Sequence, residues 1–271
     1  MASLDEFARE HAVLTALNTD GRVSVNDLAA EFGVSTVTVR KDLEGLERRS
    51  MLRRVRGGAV SVGASDEGAF AMRLRHSRDV KQRIARSVAP LVRHGDVIAL
   101  DSSTTCYYLA KELLDRRDLV VVTNALPLAM LLMEQSTAMV LMPGGVLRRS
   151  AGSVVGPIGD VLTGRGRIKK GFFGVVSIST VHGLMDISAE EAQTKQFMAR
   201  ACDQVHAVFD SSKVNGFGVH SFAAVEEISG MFTDDGIEPA AVAEWAGLGV
   251  PVHMAASQQD PRGTRRVGGA R

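Results

Sequence analysis

Apolar residues recur at helical spacing through the first fifty positions and at mixed strand and helix spacing from about residue 97. Phe7, Val13, Leu14 and Leu17 form one side of a first predicted helix, and Thr19-Asp20-Gly21 makes a turn after it. Val25, Leu28 and Ala29 lie three and four apart, as one helical face requires. Gly33 supplies a stop, because the residue after a helix end often takes positive φ. Ser35 can cap the next helix by accepting from a free backbone N–H. That helix, Thr36 to Arg49, turns Val39, Leu43 and Leu46 inward and leaves Thr36, Thr38, Arg40 and Lys41 on its other faces. Met51 to Val60 then alternates as a β-wing, with Gly57-Gly58 free to close a hairpin or to lie close to a sugar-phosphate backbone. Two short helices, a tight turn and a basic second helix resemble a helix-turn-helix that reads the major groove of double-stranded DNA, with a solvated basic helix end followed by a turn as the alternative.

Residues 61–77 are small and polar at first, then mildly basic, and read as a linker. From Arg78 the helical period returns, with Val80, Ile84, Val88 and Leu91 on one face and Lys81, Arg83 and Arg86 on another, until Pro90. Strand patterns at Val97–Asp101, Leu119–Thr123, Ala138–Met142, Gly171–Val176 and Val205–Asp210 alternate with helical ones at Thr105–Leu114, Leu126–Glu134, Ile158–Gly164 and Ala189–Cys202. A strand pair at Ser221–Val225 and Gly230–Phe232, a helix from Pro239 and a strand at Val250–Met254 close the domain. The expected fold class is α/β. A winged helix-turn-helix (1–60) and a linker (61–77) precede a mostly parallel α/β effector domain (78–256) and a disordered tail (257–271).

Charge sharpens the first module. Residues 1–35 hold two basic residues against six acidic ones, whereas residues 36–60 hold seven basic residues against Asp42, Glu44 and Glu47. A basic stripe opposed to an acidic back suits a duplex binder, since phosphate neutralisation supplies much of the affinity. The whole chain carries only +1, so any affinity for a polyanion is local. Two cysteines, Cys106 and Cys202, are too few for a disulfide framework and fit a reducing cytoplasm. No apolar run approaches the ~18 residues of a membrane span, and the N-terminus lacks a basic-then-apolar leader. The seven histidines are scattered, so neither a metal nor a cofactor is expected.

In open α/β sheets ligands bind beyond the carboxyl ends of the strands, at helix N-termini. Four polar clusters fall there: Asp101-Ser102-Ser103-Thr104-Thr105, Thr123-Asn124, Gly144-Gly145 after Pro143, and Asp210-Ser211-Ser212-Lys213. Hydroxyls, free N–H groups and a lysine suit a phosphate monoester, while Asp101 and Asn124 suit sugar hydroxyls. Each cluster alone also reads as a helix cap or a turn.

The run from Glu10 to Val60, with STVTVRKDL followed by LRRVRGGAV, resembles the winged module of the DeoR-type bacterial transcriptional regulators. The resemblance implies that Ser35, Thr36, Thr38, Arg40 and Lys41 face the groove and that Arg53, Arg54 and Arg56 meet the backbone or minor groove. It departs at Thr36, Lys41 and Arg56, where the family carries Glu, Arg and His, which points to a different operator sequence. From Lys81 to Ala255, DSSTT, TN, PGG, the EEAQTK run (Glu190 to Lys195) and DSSK stand where DeoR-type effector domains carry them. Those domains resemble ribose-5-phosphate isomerase and bind phosphorylated sugars or related metabolites. The family's acidic residue near Val176 is missing here.

Aldose–ketose isomerisation needs a carboxylate base. Glu191, with Lys195 one turn away, is the candidate, set against the plainer reading of a surface i,i+4 pair. The resulting expectation is a homo-oligomeric, DNA-binding repressor controlled by a phosphorylated effector, without enzymatic activity. An isomerase-like enzyme with an accessory DNA-binding module is the alternative.

Overall fold

The computed structural model describes residues 5–20, 22–49, 51–61, 69–149, 151–156, 167–214, 216 and 218–256. The N-terminal module runs α1 (Glu6–Asp20), β1 (Arg22–Ser24), α2 (Val25–Phe32), α3 (Thr36–Arg48), β2 (Leu52–Val55) and β3 (Gly58–Ser61). Its core gathers Val13, Leu14, Leu17, Leu28, Phe32, Val39, Leu43, Leu46 and Leu52. Gly33 ends α2 at φ 66°, and Ser35 Oγ caps α3 by accepting from Thr38 N at 3.0 Å. Two ion pairs fasten α1 to α3: Arg9 Nε donates to Asp42 at 2.7 Å, and Arg49 bonds Glu10. Phe7 lies on the α1 stripe but one turn beyond this core, and it is 61% exposed rather than buried. In the wing, Gly57 takes φ 84° at the hairpin, and a Cβ on Gly58 would stand 2.0 Å from the Val23 carbonyl. Both glycines therefore answer to the three-stranded sheet β1-β3-β2.

Part of the stretch read as linker is helical. α4 (Ala69–Arg75) sets Phe70 edge-on to Tyr107 and offers the Leu74 carbonyl to Tyr108 Oη at 2.8 Å. α5 (Arg78–Val88) follows, but Lys81 is buried, against its expected place on a polar face. Its Nζ donates to the carbonyls of Arg73 and His76 at 2.7 and 2.8 Å, which satisfies the otherwise open end of α4.

The remaining elements are β4 (Val97–Leu100), α6 (Thr104–Glu112), β5 (Val120–Thr123), α7 (Leu126–Gln135), β6 (Met139–Leu141), β7 (Val146–Arg148), β8 (Ser153–Val155) and β9 (Ile168–Phe173). After them come β10 (Ser177–Ser179), β11 (Gly183–Asp186), α8 (Ala189–Arg200), β12 (Cys202–Val208), β13 (His220–Ala223), β14 (Ile228–Asp234), α9 (Pro239–Gly247) and β15 (Val252–Ala255). Seven strands form a parallel sheet in the order β15-β14-β12-β9-β4-β5-β6. Alternate residues serve opposite faces. Ile98 and Leu100 pack with α5, α6 and α7, whereas Ala99 packs with α8 and Trp245 of α9.

The strands at Ser221–Val225 and Gly230–Phe232 do not pair with each other. β13 joins a small antiparallel sheet, β10-β11-β13, while β14 lies in the main sheet beside β12. The predicted helix at Ile158–Gly164 and the tail 257–271 lie outside the described residues. From β4 the chain winds one way to β5 and β6, then returns through β9 and winds the other way. The strand order thus reverses between β4 and β9, and a crevice opens there at the carboxyl ends.

Candidate functional site

The crevice at that switch point is a cavity of about 250 Å³. Its floor is built by two loops drawn together through Asp101. Asp101 Oδ1 accepts from Ser103 N at 3.0 Å and Oδ2 from Gly174 N at 2.9 Å, tying the loop after β4 to the loop after β9. A Cβ on Gly174 would stand 2.2 Å from Ser103 Cβ, so glycine is what lets the two loops meet. Ser103 caps α6, its Oγ accepting from Cys106 N at 3.2 Å, and Thr104 and Thr105 open the first turn. The positive end of the α6 dipole therefore faces the cavity.

The inner end is a buried charge cluster. Lys195 Nζ lies 2.9 Å from Asp101 Oδ2 and 2.8 Å from Asp186 Oδ2, and it donates to the Gly174 carbonyl at 2.8 Å. Burial alone would lower the Lys195 pKa, but Asp101 and Asp186 outweigh it and hold the ammonium above its ordinary value. Asp186 is likewise penalised by burial and is carried below the usual carboxylate range by Lys195 and the N–H groups of Ser188 and Ile187. Glu191 points to the same region and is bonded by Ser153, by Arg148 at 3.2 Å, by Ser102 at 3.2 Å and by Asn124 at 3.3 Å. Glu191 and Lys195 are thus not a solvated pair on one helix. Both are buried, and each is held by groups from other elements.

Three further cations, Arg73, Lys81 and Lys213, line the cavity together with Asp210. Glu191, Asp186 and Asp101 act through space on Arg73, although burial lowers its pKa overall. Burial brings the Lys81 ammonium down to about 8, with Asp210 partly offsetting it. Burial lowers Lys213 as well, with Asp210 opposing and Arg73 adding to the shift. Lys213 Nζ has no hydrogen-bond or ion-pair partner among the described residues. Arg49 and Met51, at the end of α3 and the start of the wing, edge the same cavity.

Of the effector residues predicted from sequence, Ser102, Ser103, Thr104, Thr105, Glu191, Lys195, Asp210 and Lys213 line this cavity. Asp101 does not: it is fully buried beneath the floor. Thr123 accepts from Ala125 N at 3.1 Å, and Asn124 is also fully buried, backing Glu191 with its Oδ1 without a partner among the described residues. Gly144 and Gly145 lead into the β7–β8 hairpin, where a Cβ on Gly145 would meet the Val155 carbonyl at 2.4 Å. Sequence reasoning missed Arg73, Lys81, Arg148 and Asp186. The signal for Asp186 was a lone carboxylate ending an apolar run, Gly183-Leu184-Met185-Asp186.

On the first module Arg40, Lys41, Arg53, Arg54 and Arg56 are exposed, and their side chains form no ion pair among the described residues. Thr36 and Thr38 are half-buried at the start of α3, and Val37 between them is 69% exposed. Unpaired cations around one exposed helix and its wing leave this face open to phosphates.

The chain matches the DeoR-like helix-turn-helix domain over residues 9–64 and the DeoR C-terminal sensor domain over residues 76–235. It is 32% identical to the uncharacterized HTH-type transcriptional regulator YulB of Bacillus subtilis (strain 168), covering 86% of this chain and 91% of that one. It is 30% identical to the lactose phosphotransferase system repressor of Staphylococcus epidermidis, covering 86% and 93%. A D-ribose-5-phosphate isomerase structure in complex with phospho-erythronic acid overlays on 51% of this chain and 54% of that one, with a TM-score of 0.39 and 15% identity. A reading module and a sensor domain joined in one chain make this protein a member of the DeoR family of DNA-binding transcriptional regulators.

Proposed function

We propose that the protein is a repressor whose effector, a phosphorylated sugar, occupies the cavity at the β4–β9 switch point and is bound without being turned over. The observation that carries this is the lining of one cavity: Arg73, Lys81, Lys213 and the N-terminus of α6 supply positive charge, and the hydroxyls of Ser102, Thr104 and Thr105 and the carboxylates of Asp186 and Glu191 supply polar groups. A phosphate monoester suits the cations and the helix N-terminus, since it carries nearly two charges and accepts several hydrogen bonds. Sugar hydroxyls, which donate as well as accept, suit the hydroxyls and carboxylates. The sugar-system repressor among the relatives supports the same class of effector.

α3 enters the major groove, with Ser35, Thr36, Thr38, Arg40 and Lys41 towards the bases, while Arg53, Arg54 and Arg56 hold the backbone or minor groove. The chain works as a homo-oligomer, so that two winged modules meet paired half-sites. The effector acts by binding the DNA-competent and incompetent arrangements unequally. Ile187, which packs on the core of the winged module, follows Asp186 of the cavity directly and gives that difference a route.

Turnover is disfavoured by the state of its candidate base. Glu191 is bonded by four side chains and Lys195 by two carboxylates, so neither is free to take a carbon-bound proton. A thermal-shift screen against phosphorylated sugars tests the binding. A raised melting temperature with at least one of them is expected, and its absence with all of them would overturn the reading. Pentose-phosphate turnover that vanished in Glu191→Gln would instead favour an isomerase.

A further inference from the structure

The sensor domain does not line the cavity alone. Arg49, the residue that closes the reading helix α3, and Met51, at the start of the wing, form part of its wall beside Arg73, Lys81 and Lys213. The chain leaves the helical path at Arg49, whose ψ is 5°, and Met51 N turns back to the Leu46 carbonyl at 3.0 Å. That turn carries the end of α3 to the cavity.

Most charges in the cavity are answered from within it. Lys195 pairs with Asp101 and Asp186, Arg148 pairs with Glu191, and Arg73 feels all three carboxylates through space. Lys81 gives its ammonium to the carbonyls of Arg73 and His76. Lys213 is the exception, its Nζ without a hydrogen-bond or ion-pair partner among the described residues. Asp210 acts on Lys213 through space, and Arg73 and Arg49 act on it with the opposite sign. Arg49 and Lys213 are therefore within electrostatic reach of each other across the boundary between the two domains.

Arg49 does have a counter-charge. Its Nη2 bonds Glu10 of α1, and its Nε donates to the Gly45 carbonyl at 3.2 Å, one of those left open at the end of α3. A guanidinium carries five N–H donors in one plane, and Nη1 has no partner among the described residues. The pair is balanced in charge and open in donors. A phosphate monoester brings more charge and more acceptor oxygens than the Glu10 carboxylate, so it competes with Glu10 for the same fork.

From this geometry we infer that Arg49 is an effector-binding residue supplied by the DNA-binding module: the effector's phosphate bridges Lys213 and Arg49 and draws Arg49 from Glu10. The exchange undoes one of the two ion pairs that fasten α1 to α3, the other being Arg9 with Asp42. It does so at the end of the helix that presents Arg40 and Lys41. This rests on the sugar-phosphate reading above and adds the residue of the winged module that its phosphate touches.

The test is calorimetric titration of the full chain with inorganic phosphate, ribose 5-phosphate, fructose 6-phosphate and glucose 6-phosphate, in wild type, Arg49→Gln and Glu10→Gln. A pair that only fastens two helices is broken alike by both substitutions, and affinity then moves the same way in both or in neither. Exchange gives opposite signs. Arg49→Gln should weaken each compound that binds by about tenfold, the loss of one charge-assisted contact. Glu10→Gln removes the competitor and should tighten the same compounds by about threefold, the worth of a part-exposed ion pair. Glu10→Gln decides the matter alone if Arg49→Gln does not fold. Unchanged affinity in a folded Arg49→Gln, or unchanged or weaker affinity in Glu10→Gln, would overturn the role of Arg49 and leave the sugar-phosphate reading standing. No binding of any of the four compounds to wild type would overturn both readings together.

Discussion

Asp186 and Ile187 are adjacent in the chain and serve different domains: the Asp186 carboxylate lies 2.8 Å from Lys195 Nζ in the cavity, and Ile187 packs against the core of the winged module. A ligand that shifts the first residue strains the seat of the second. Truncation of Ile187 to Ala is therefore expected to reduce the coupling between effector and operator by about 1 kcal/mol, more than it changes either affinity measured alone. Anisotropy titrations of operator with and without effector, in both variants, read this difference. Equal coupling in wild type and Ile187→Ala would rule this route out.

Lys195 forms an ion pair with both Asp101 and Asp186. Its replacement by Met leaves two buried carboxylates unpaired and is expected to cost about 3–5 kcal/mol of stability. Chemical denaturation measures it. A loss well below 1 kcal/mol would mean that solvent reaches the cluster.

His206 on β12 is stacked on Phe172 at 5.3 Å and meets the edge of Phe232, with its Nδ1 unpartnered among the described residues. Burial, with Lys170 and His253 nearby, depresses its pKa to about 4. The unfolded chain therefore binds a proton that the folded one refuses between about pH 6.5 and 4. Stability falls as pH drops through that window, by about 1.5 kcal/mol between pH 6.5 and 5. Denaturation curves at those two pH values should separate by this amount more in wild type than in His206→Phe, which keeps the ring stack without the titration.

The DNA-reading face predicts two separable effects. Arg40→Ala should weaken binding to a selected operator more than to random duplex, because a base contact carries specificity. Arg53→Ala with Arg56→Ala should lower affinity for both duplexes and flatten the log–log salt dependence by about 2, close to one per phosphate contact. Val37 is exposed between Thr36 and Thr38; if α3 enters the groove as proposed, it would meet a thymine methyl, and Val37→Ser should relax preference at one position of the operator.

Much of the architecture was legible in the sequence because it is local. The period of Val25, Leu28, Val39, Leu43 and Leu46 marks α2 and α3, Gly33 and Ser35 mark the turn between them, and strand patterns alternating with helices mark a parallel sheet. The loops at 101–105 and 210–213 were legible as helix openings after strands. What escaped is what only the topology assembles. Lys81 looked like a solvated residue on α5 until α4 folded over it. Asp186 lies far from Asp101 in the chain and reaches Lys195 only because β11 doubles back on β10. Asp101 and Asn124 are fully buried: Asp101 accepts from Ser103 N and Gly174 N, and Asn124 Nδ2 donates to Glu191, contacts that only the assembled sheet brings about. Spacing along the chain reports faces of elements, and it does not report which loops meet across a sheet.

Under the proposed function, occupancy of the β4–β9 cavity controls DNA binding through Lys213 and the other cations that line it. The direct measurement is operator affinity, by anisotropy, as a function of a bound sugar phosphate, in wild type and in Lys213→Ala. Wild type is expected to release operator as the sugar phosphate saturates. Lys213→Ala is expected to bind operator as wild type does and to need at least about tenfold more ligand for release, the loss of one charge-assisted phosphate contact. Operator affinity indifferent to every sugar phosphate, or the same ligand dependence in Lys213→Ala, would contradict it.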